Sequence, residues 1–303
     1  MKKIITLAIL MILLGFTIDN NETILKKINT FFNGNKEVVL GEKNQYYRDV
    51  DFEFVQNTNN FNPQNLQDIY NIYYTAINAG KSSFTFYCPD EYTSCLADVK
   101  SLAEDQTTLS DINNYVHPFN GFTHIETEYD SLGEVRITIM KSYSDEDIDV
   151  IKGKIGQLKS ALIKPEATLE QNIMSIHDFI ITHTKYDSGR SERNDTTYKS
   201  NIAYGPLLQG YGICGGYADA MQLFLEELGV KNFKVSSDKH VWNAVYVNNK
   251  WLHLDLTWDD PVTNNKIDIL DHNYFLIDTN KLLSYGKAEH NFNQNVYKEL
   301  KEA

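Results

Sequence analysis

The sequence lacks the clustered lysine and arginine residues that nucleic-acid binding requires. Acidic residues outnumber basic ones by 41 to 28, and the formal net charge is -13. Because phosphate backbones are bound mainly by basic side chains, we expect no nucleic-acid partner. The composition is 42% hydrophobic and 23% charged, which is typical of a globular protein and excludes the disordered and fibrous classes.

No apolar run in the sequence is long enough to cross a membrane. Residues 4–16 are apolar and follow Lys2 and Lys3, but this run is shorter than the roughly 20 residues of a spanning helix. The pattern predicts a signal peptide in residues 1–20. No small-residue cleavage site is evident after it, so an uncleaved N-terminal anchor that tethers the protein to a membrane is the alternative. We therefore expect a secreted or cell-envelope protein.

Cysteine is scarce, with three residues in 303. Cys88 and Cys95 are close in sequence and are the natural pair for a disulfide in an exported protein. The alternative is that both are buried apolar residues without a bond. If they do pair, Cys214 is the free thiol.

The arrangement of apolar residues predicts an α+β protein with two domains. Residues 21–50 are polar and predict a loosely ordered lead-in. Residues 51–147 mix helical and strand patterns, which indicates a small α+β companion domain, and residues 148–303 form the second domain. The charged stretch 187–201 lacks periodicity and predicts an exposed, mobile loop, either a lid or a plain surface loop.

A helical pattern begins at the free cysteine, within the segment GYGICGGYADA. Tyr217, Met221, Phe224 and Leu228 recur at helical spacing, which places Cys214 at or just before the first turn. The unpaired N–H groups of a helix start favour a thiolate and can receive a developing oxyanion. The glycines around the cysteine would let a substrate approach the sulfur. A buried structural cysteine is the alternative.

The stretch 240–257 alternates β-branched and aromatic residues with polar ones and predicts a hairpin. Asn248 and Asn249 suit the positive φ angles of a two-residue type I′ turn. With these residues as the loop, His240 and Asp255 lie on one face as diagonal neighbours, with Cα atoms about 7–8 Å apart. A carboxylate that holds one imidazole nitrogen leaves the other free to act as a base.

Other histidines compete with His240 as the base. His253 shares the hairpin face, but Asp255 follows it by two residues on the same strand and would be a poorer partner. His177 lies in an apolar helix and is expected in the core. For His272 and His290 the sequence indicates no partner.

Four segments, taken together, resemble a known family: GICGGYADA, HVWNA, WLHLDLTWDDP and DHNYFLIDTN. They are similar to the transglutaminase-like branch of the papain-type cysteine enzymes, specifically the exported bacterial members. The resemblance covers residue 148 to the end and implies a helix bearing the cysteine, packed on an antiparallel sheet bearing the histidine and aspartate. It implies that Cys214 is the nucleophile, His240 the general base and acid, and Asp255 the orienting carboxylate. The region before it is similar to a companion domain of clostridial-type relatives.

Around the nucleophile the chain departs from one branch of this family. Animal transglutaminases carry Gln-Cys-Trp where this chain has Ile213, Cys214 and Gly215, and no carboxylate-rich loop has the spacing of calcium ligands. Calcium-dependent crosslinking is therefore not implied, and we expect no cofactor.

Four further residues are candidates for the oxyanion and substrate site. Gln209 and Tyr204 are suggested by position as partners of the Cys214 N–H group at the oxyanion. Trp242 and Trp258 either line the acyl site or are core aromatics.

The residues predict a cysteine-dependent acyl-transfer enzyme acting on a peptide, protein or cell-wall substrate. The thiolate would attack a peptide or glutamine amide to form a thioester, which water or an amine then resolves. Water gives a peptidase or deamidase, and an amine gives a transglutaminase. One alternative is a non-catalytic cell-envelope module that retains the fold for binding. Another is a zinc site built from the thiol, imidazole and carboxylate, for which no fourth ligand is evident.

Overall fold

The computed structural model describes residues 38–261 and 270–301. The predicted signal peptide or anchor, residues 1–20, and the first part of the lead-in lie outside these residues. Within the described residues, no helix combines the length and apolar character needed to cross a membrane.

The first half of the chain forms a small antiparallel sheet with helices beside it. The Asn65 side chain caps the first helix by accepting a hydrogen bond from the Asp68 N–H, and Gly80, at φ 73°, follows the end of this helix. The three strands are ordered β1-β3-β2. The elements are α1 (Leu66–Asn78), β1 (Ser83–Tyr87), α2 (Cys95–Glu104), α3 (Gln106–Asn113), β2 (Phe122–Tyr129) and β3 (Glu134–Lys141).

A disulfide ties the end of β1 to the start of α2. Cys88 and Cys95 are bonded, which decides between the two alternatives that the sequence left open. Helix α2 itself was not predicted. It buries only a short stripe, Cys95, Val99 and Leu102, which is too brief to stand out as a periodic pattern.

The second half carries the cysteine helix and the predicted hairpin. Capping boxes start two of its three long helices, with Ser144 and Asp147 at one and Thr168 and Gln171 at the other. Strands β4 and β5 pair in parallel, and β6, β7 and β8 form an antiparallel sheet in that order. The elements are α4 (Asp145–Leu162), α5 (Leu169–His183), β4 (Lys185–Tyr186), α6 (Ser188–Arg193), a π-helical turn (Gly205–Gln209), β5 (Tyr211–Gly212), α7 (Cys214–Glu227), β6 (Asn232–Ser236), β7 (Val241–Val247), β8 (Lys250–Leu254) and α8 (Thr279–Ser284).

One sheet joins the two halves of the molecule. Because side chains alternate along a strand, β6 to β8 present two apolar faces. Phe233 and Trp242 pack in the cluster that holds the first-half core, whereas Val245 and Leu254 pack with α4, α5 and α7. The α+β prediction, with the cysteine helix on an antiparallel sheet, is confirmed. The domain boundary at 147/148 stays a prediction, since the sheet contributes to the core on both sides.

The described part of the lead-in is not loosely ordered. Arg48 is buried, its guanidinium donates to the Tyr115 carbonyl at 2.8 Å, and it pairs with Glu226 at 3.3 Å. Glu226 belongs to α7, whereas Tyr115 precedes the first sheet's hairpin. Residues 38–50 therefore connect the two halves, and the polar composition of this segment misled the prediction.

The charged stretch 187–201 is more structured than a loop. Asp187 caps α6 by accepting a hydrogen bond from the Arg190 N–H. Toward the end of the stretch, Ser200 is fully buried and its carbonyl accepts the Ile213 N–H at 2.9 Å. The expectation of an exposed loop is correct for the middle of the stretch and wrong for its end, which packs beside the cysteine segment.

Candidate active site

The free thiol lies at the first residue of α7. The residue before it, Ile213, is extended at φ -109° and ψ 175°, and no side chain caps the helix. Cys214 is not part of a disulfide and is half-buried. The first-turn N–H groups are thus not taken by a capping side chain and can stabilise negative charge at this end of the helix.

The glycines around Cys214 make room for the protein's own chain. A Cβ at Gly216 would lie 2.2 Å from the Ser200 carbonyl oxygen, and one at Gly212 would lie 2.8 Å from the Tyr217 ring. The interpretation that these glycines open a path for substrate is therefore replaced. They allow the preceding segment to close over the helix start and fix the position of the thiol.

The predicted hairpin register is confirmed. Asn248 and Asn249 have φ angles of 52° and 63°, as a type I′ turn requires. The strands pair from this turn as far as Asn243 opposite Leu254. The histidine and aspartate that the sequence placed on one face lie just beyond the last paired residues.

The structure brings the predicted histidine, aspartate and cysteine together. His240 Nε2 is 2.6 Å from Asp255 Oδ2, and both side chains are buried. The Cys214 side chain lies close enough to the imidazole to contribute to the raised pKa of His240. Since Nε2 faces the carboxylate, Nδ1 is the nitrogen left for the sulfur.

The two buried ionisable groups hold each other in their charged forms. Burial lowers the pKa of His240, but the charge of Asp255 and its hydrogen bond, with a smaller contribution from Cys214, raise that pKa to about 10. Burial raises the pKa of Asp255, but the charge and hydrogen bonds of His240 and His290 hold it well below its usual range. The geometry therefore favours an imidazolium beside the sulfur at neutral pH.

Among the described residues, four groups donate hydrogen bonds to the Asp255 carboxylate and fix its position. Oδ1 accepts the backbone N–H groups of Thr257 at 3.0 Å and Trp258 at 3.2 Å. Oδ2 accepts from His240 and from His290 Nε2, the latter at 2.8 Å. We refer to His240, Asp255 and His290 as the active-site cluster.

His290 is a member of the site that the sequence did not indicate. The expectation that it lacks a partner is wrong. Its ring is 1% exposed, stacks on Tyr274 with centroids 5.0 Å apart, and lies 5.0 Å from Trp258. Its Nδ1 has no hydrogen-bond partner among the described residues. Its Nε2–H group therefore donates to Asp255.

The rival base is excluded by its own contacts. His253 Nδ1 accepts a hydrogen bond from Trp242 Nε1 at 2.9 Å, and its Nε2 is 3.0 Å from the Thr279 hydroxyl. Burial and the nearby His290 lower the pKa of His253 to about 3. His253 is thus a neutral core residue that anchors Trp242.

The remaining two histidines of interest form a separate group. His177 is fully buried, as expected, and its Nδ1 contacts Asp178 at 2.9 Å. His272 Nε2 also contacts Asp178, at 2.8 Å. The expectation that His272 lacks a partner is therefore wrong.

The two tryptophans occupy different positions. Trp242 is 1% exposed and stacks on the His240 ring with centroids 5.5 Å apart, so it supports the imidazole from the core and does not line an open site. Trp258 is half-buried, and Lys287 lies over its ring. Trp258 therefore remains the candidate for a substrate contact.

The oxyanion candidates both contact Lys199. The Gln209 side-chain oxygen accepts the Lys199 N–H at 2.8 Å, and the Lys199 ammonium lies 4.7 Å from the centre of the Tyr204 ring. None of the contacts described for these two residues joins Cys214. Their role at the oxyanion stays a prediction.

A polar residue of the HVWNA segment links the histidine strand to the cysteine helix. Asn243 Nδ2 donates to the Ala218 carbonyl in α7 at 3.0 Å. At the next residue of α7, Asp219 accepts hydrogen bonds from Tyr143 and Lys234, both at 2.6 Å. These contacts hold the helix against the sheet, and sequence reasoning gave them no role.

A metal ion is a poor fit to the active-site cluster. The ligand atoms of the active-site cluster lie within 4.8 Å of one another. However, each oxygen of Asp255 already accepts two hydrogen bonds, so an ion would have to displace two of them. The arrangement suits proton transfer better than the zinc alternative.

Residues 156–256 match the family model described as the transglutaminase-like superfamily, and all three candidate triad residues fall in this range. This part of the chain is therefore a transglutaminase-like domain.

Two solved structures are similar over 49% of this chain, each at 14% identity. One is a crystal structure of a TGase, with a TM-score of 0.34, and the other is a candidate cysteine protease from Cytophaga hutchinsonii, with a TM-score of 0.28. The chain spans about half the first structure's length, 47%, and 65% of the second's. None of the curated proteins matches the chain.

Proposed function

We propose that the protein is a cysteine-dependent acyl-transfer enzyme that acts on peptide or glutamine amides. Cys214 is the nucleophile, His240 the general base and acid, and Asp255 the orienting carboxylate. The observation that carries this proposal is the 2.6 Å contact of a buried His240 with Asp255. The helix-start thiol lies close enough to this ring to contribute to its raised pKa.

The proposed reaction gives each of these residues a step. The thiol proton resides on His240, and the sulfur bonds the carbonyl carbon while the helix-start N–H groups face the developing oxyanion. His240 then gives its proton to the leaving amine as the C–N bond breaks. Water or a second amine, losing a proton to His240, attacks the thioester, and the C–S bond breaks to regenerate the thiolate.

The type of reaction depends on which molecule accepts the acyl group. Hydrolysis would make the protein a peptidase or deamidase, and transfer to an amine would make it a transglutaminase. Half-buried Trp258, with Lys287 over its ring, is the side chain that we propose contacts the acyl group or its acceptor. The substrate is a peptide, a protein or a cell-wall crosslink.

Acylation of the thiol tests the proposal. Cys88 and Cys95 are bonded, so in unreduced protein Cys214 is the one cysteine that an ester probe can acylate. We expect the wild-type protein to release nitrophenolate from p-nitrophenyl acetate in a burst of one equivalent, with the acyl group on Cys214. His240→Ala should lower this rate by at least about 100-fold, the size of a general-base contribution.

Cys214→Ala provides the blank, and His183→Ala, an exposed histidine on α5, is the matched control for loss of an imidazole. Acylation of Cys214 no faster than that of free cysteine at the same pH would contradict the proposal and favour the non-catalytic binding module. Adding a primary amine to the acylated protein then distinguishes transfer from hydrolysis by the product formed.

We also propose that the protein is exported. The Cys88–Cys95 disulfide supports this, because disulfides persist in oxidising compartments. Lys2, Lys3 and the apolar run after them are the proposed targeting segment. N-terminal sequencing of protein recovered from the medium and from the membrane fraction tests export and distinguishes a cleaved signal from an anchor.

A further inference from the structure

A second cluster of ligand-type side chains lies on helix α5. His177 and Asp178 are neighbours in α5, and His272 belongs to the chain after β8. One ligand atom from each lies within 4.8 Å of the others. Two imidazoles with one carboxylate are a donor set found in zinc sites with three protein ligands. We propose that this group, the α5 cluster, binds a divalent transition metal ion, with zinc preferred.

The distances in the α5 cluster are close to those of a metal site. Asp178 Oδ1 is 2.9 Å from His177 Nδ1 and 2.8 Å from His272 Nε2. Ligand atoms on a tetrahedral zinc ion, at bonds near 2.0–2.1 Å, are about 3.3 Å apart. The carboxylate oxygen must therefore withdraw by roughly half an ångström to admit an ion, which rotation of a 36% exposed side chain allows.

His177 supplies an independent reason for a cation. Its ring is fully buried and faces a carboxylate at each nitrogen, Asp178 at 2.9 Å and Asp259 at 3.2 Å. The two carboxylates create a negative potential at the ring, which favours a cation there. With an ion on Nδ1, the Nε2–H group donates to Asp259.

Asp259 has the position of the outer carboxylate that supports a metal-bound histidine. Ligating imidazoles commonly donate their second N–H to such a carboxylate. Asp259 is fully buried, and its other oxygen accepts the Tyr274 N–H at 2.9 Å. Its own N–H donates to the Asp255 carbonyl at 3.2 Å. The carboxylate is therefore fixed by the main chain and directed at the His177 ring.

Solvent can reach one side of the α5 cluster. The side chains of His272 and Asp178 are 40% and 36% exposed, whereas His177 is completely buried. An ion could enter from this side and keep a water as its fourth ligand. Phe275 packs against both imidazole rings in T-shaped contacts.

Calorimetric titration with zinc tests the inference on full-length protein without a histidine tag. The protein carries Cys214→Ala, so that the active-site thiol cannot bind the ion. We expect one zinc ion per chain. His272→Ala should weaken binding by at least about 100-fold, and Asp259→Asn by about 10- to 100-fold with the stoichiometry kept. His183→Ala, on the same helix outside the cluster, should bind as the parent does.

The outcome does not depend on acyl transfer. Absence of zinc binding by the parent at submillimolar zinc overturns the inference, and so does equal affinity in the parent and His272→Ala. Thermal unfolding gives a second readout, since zinc that binds the folded state raises the unfolding temperature of the parent and leaves that of His272→Ala unchanged. His272 is exposed, so this variant should fold, which circular dichroism verifies.

Discussion

The active-site cluster and the α5 cluster have the same local arrangement and differ in their surroundings. In each, one aspartate oxygen lies between two imidazole nitrogens at 2.6–2.9 Å. Asp255 is 1% exposed, and its second oxygen accepts two backbone N–H groups, whereas the Asp178 side chain is 36% exposed. The first carboxylate is fixed through both oxygens, whereas the contacts described for the second carboxylate all involve Oδ1.

The difference shows what a histidine–aspartate contact needs in order to serve catalysis. The active-site cluster has a thiol near its histidine and hydrogen-bond donors on both oxygens of its aspartate. The α5 cluster has solvent on one side and a second carboxylate behind its buried histidine. The first arrangement moves a proton between fixed groups, and the second can take up a cation.

The largest expected effect comes from Asp255→Asn. The amide keeps the shape but removes the charge that orients His240 and holds it protonated. In serine proteases the loss of the corresponding carboxylate costs on the order of 10⁴ in rate. We expect the rate of Cys214 acylation by p-nitrophenyl acetate to fall by about 10² to 10⁴.

Asp178→Asn makes the same chemical change in the α5 cluster and is the matched control. We expect its acylation rate to stay within about twofold of wild type, because none of the contacts described for Asp178 reaches the thiol. Similar losses in both variants would show that the comparison between the clusters is wrong.

A smaller effect is expected for His290→Phe. The phenyl ring keeps the packing between Tyr274 and Trp258 but removes one hydrogen bond to a buried carboxylate, a contribution of about 1.5–3 kcal/mol. We expect acylation to slow by roughly tenfold. Without the hydrogen bond from His290, the negative charge of Asp255 would act more strongly on His240 and raise its pKa further. The alkaline limb of the plot of acylation rate against pH should therefore move to higher pH.

His290→Gln distinguishes positioning from packing. The Gln amide can restore an N–H donor near the position of Nε2, and we expect it to recover part of the rate and to return the pH profile toward wild type. A slow variant with an unshifted profile would assign His290 a purely structural role.

Much of the active site could be predicted because local rules fix it. A two-residue turn at Asn248 and Asn249 permits one register, and that register decides which side chains share a face. Helical periodicity places Cys214 at a helix start in the same way. The predicted positions of His240 and Asp255 follow from these two patterns.

The parts that could not be predicted depend on irregular chain. His290 ends a short 3₁₀ turn, Ala288–His290, in a region with no periodicity, and it meets a residue 35 positions away. The glycines around Cys214 appeared to serve a substrate because their contact with the Ser200 segment has no sequence signal. Tertiary contacts between non-periodic segments leave no local pattern to detect.

A pH-dependent stability difference should follow from His240. Its pKa is raised from about 6.5 in the unfolded chain to about 10 in the folded protein. The stability that it contributes is therefore complete below about pH 6.5 and is lost as the pH rises through about 10. We expect the free energy of unfolding of wild type, measured in urea, to exceed that of His240→Gln by an amount that shrinks across this window. A difference in the free energy of unfolding that stays constant across this pH range would contradict the raised pKa of His240.

The smallest effect is expected for His272→Ala on the rate of acylation without added metal. This variant tests whether the two clusters are independent. The α5 cluster reaches the active site through Asp259, which bonds the His177 ring and donates its N–H to the Asp255 carbonyl. That link is to the main chain of Asp255 and not to its carboxylate, so we expect a change of no more than about twofold in the acylation rate. A tenfold fall would mean that the main-chain link transmits the state of the α5 cluster to the triad. The two clusters would then form one functional unit.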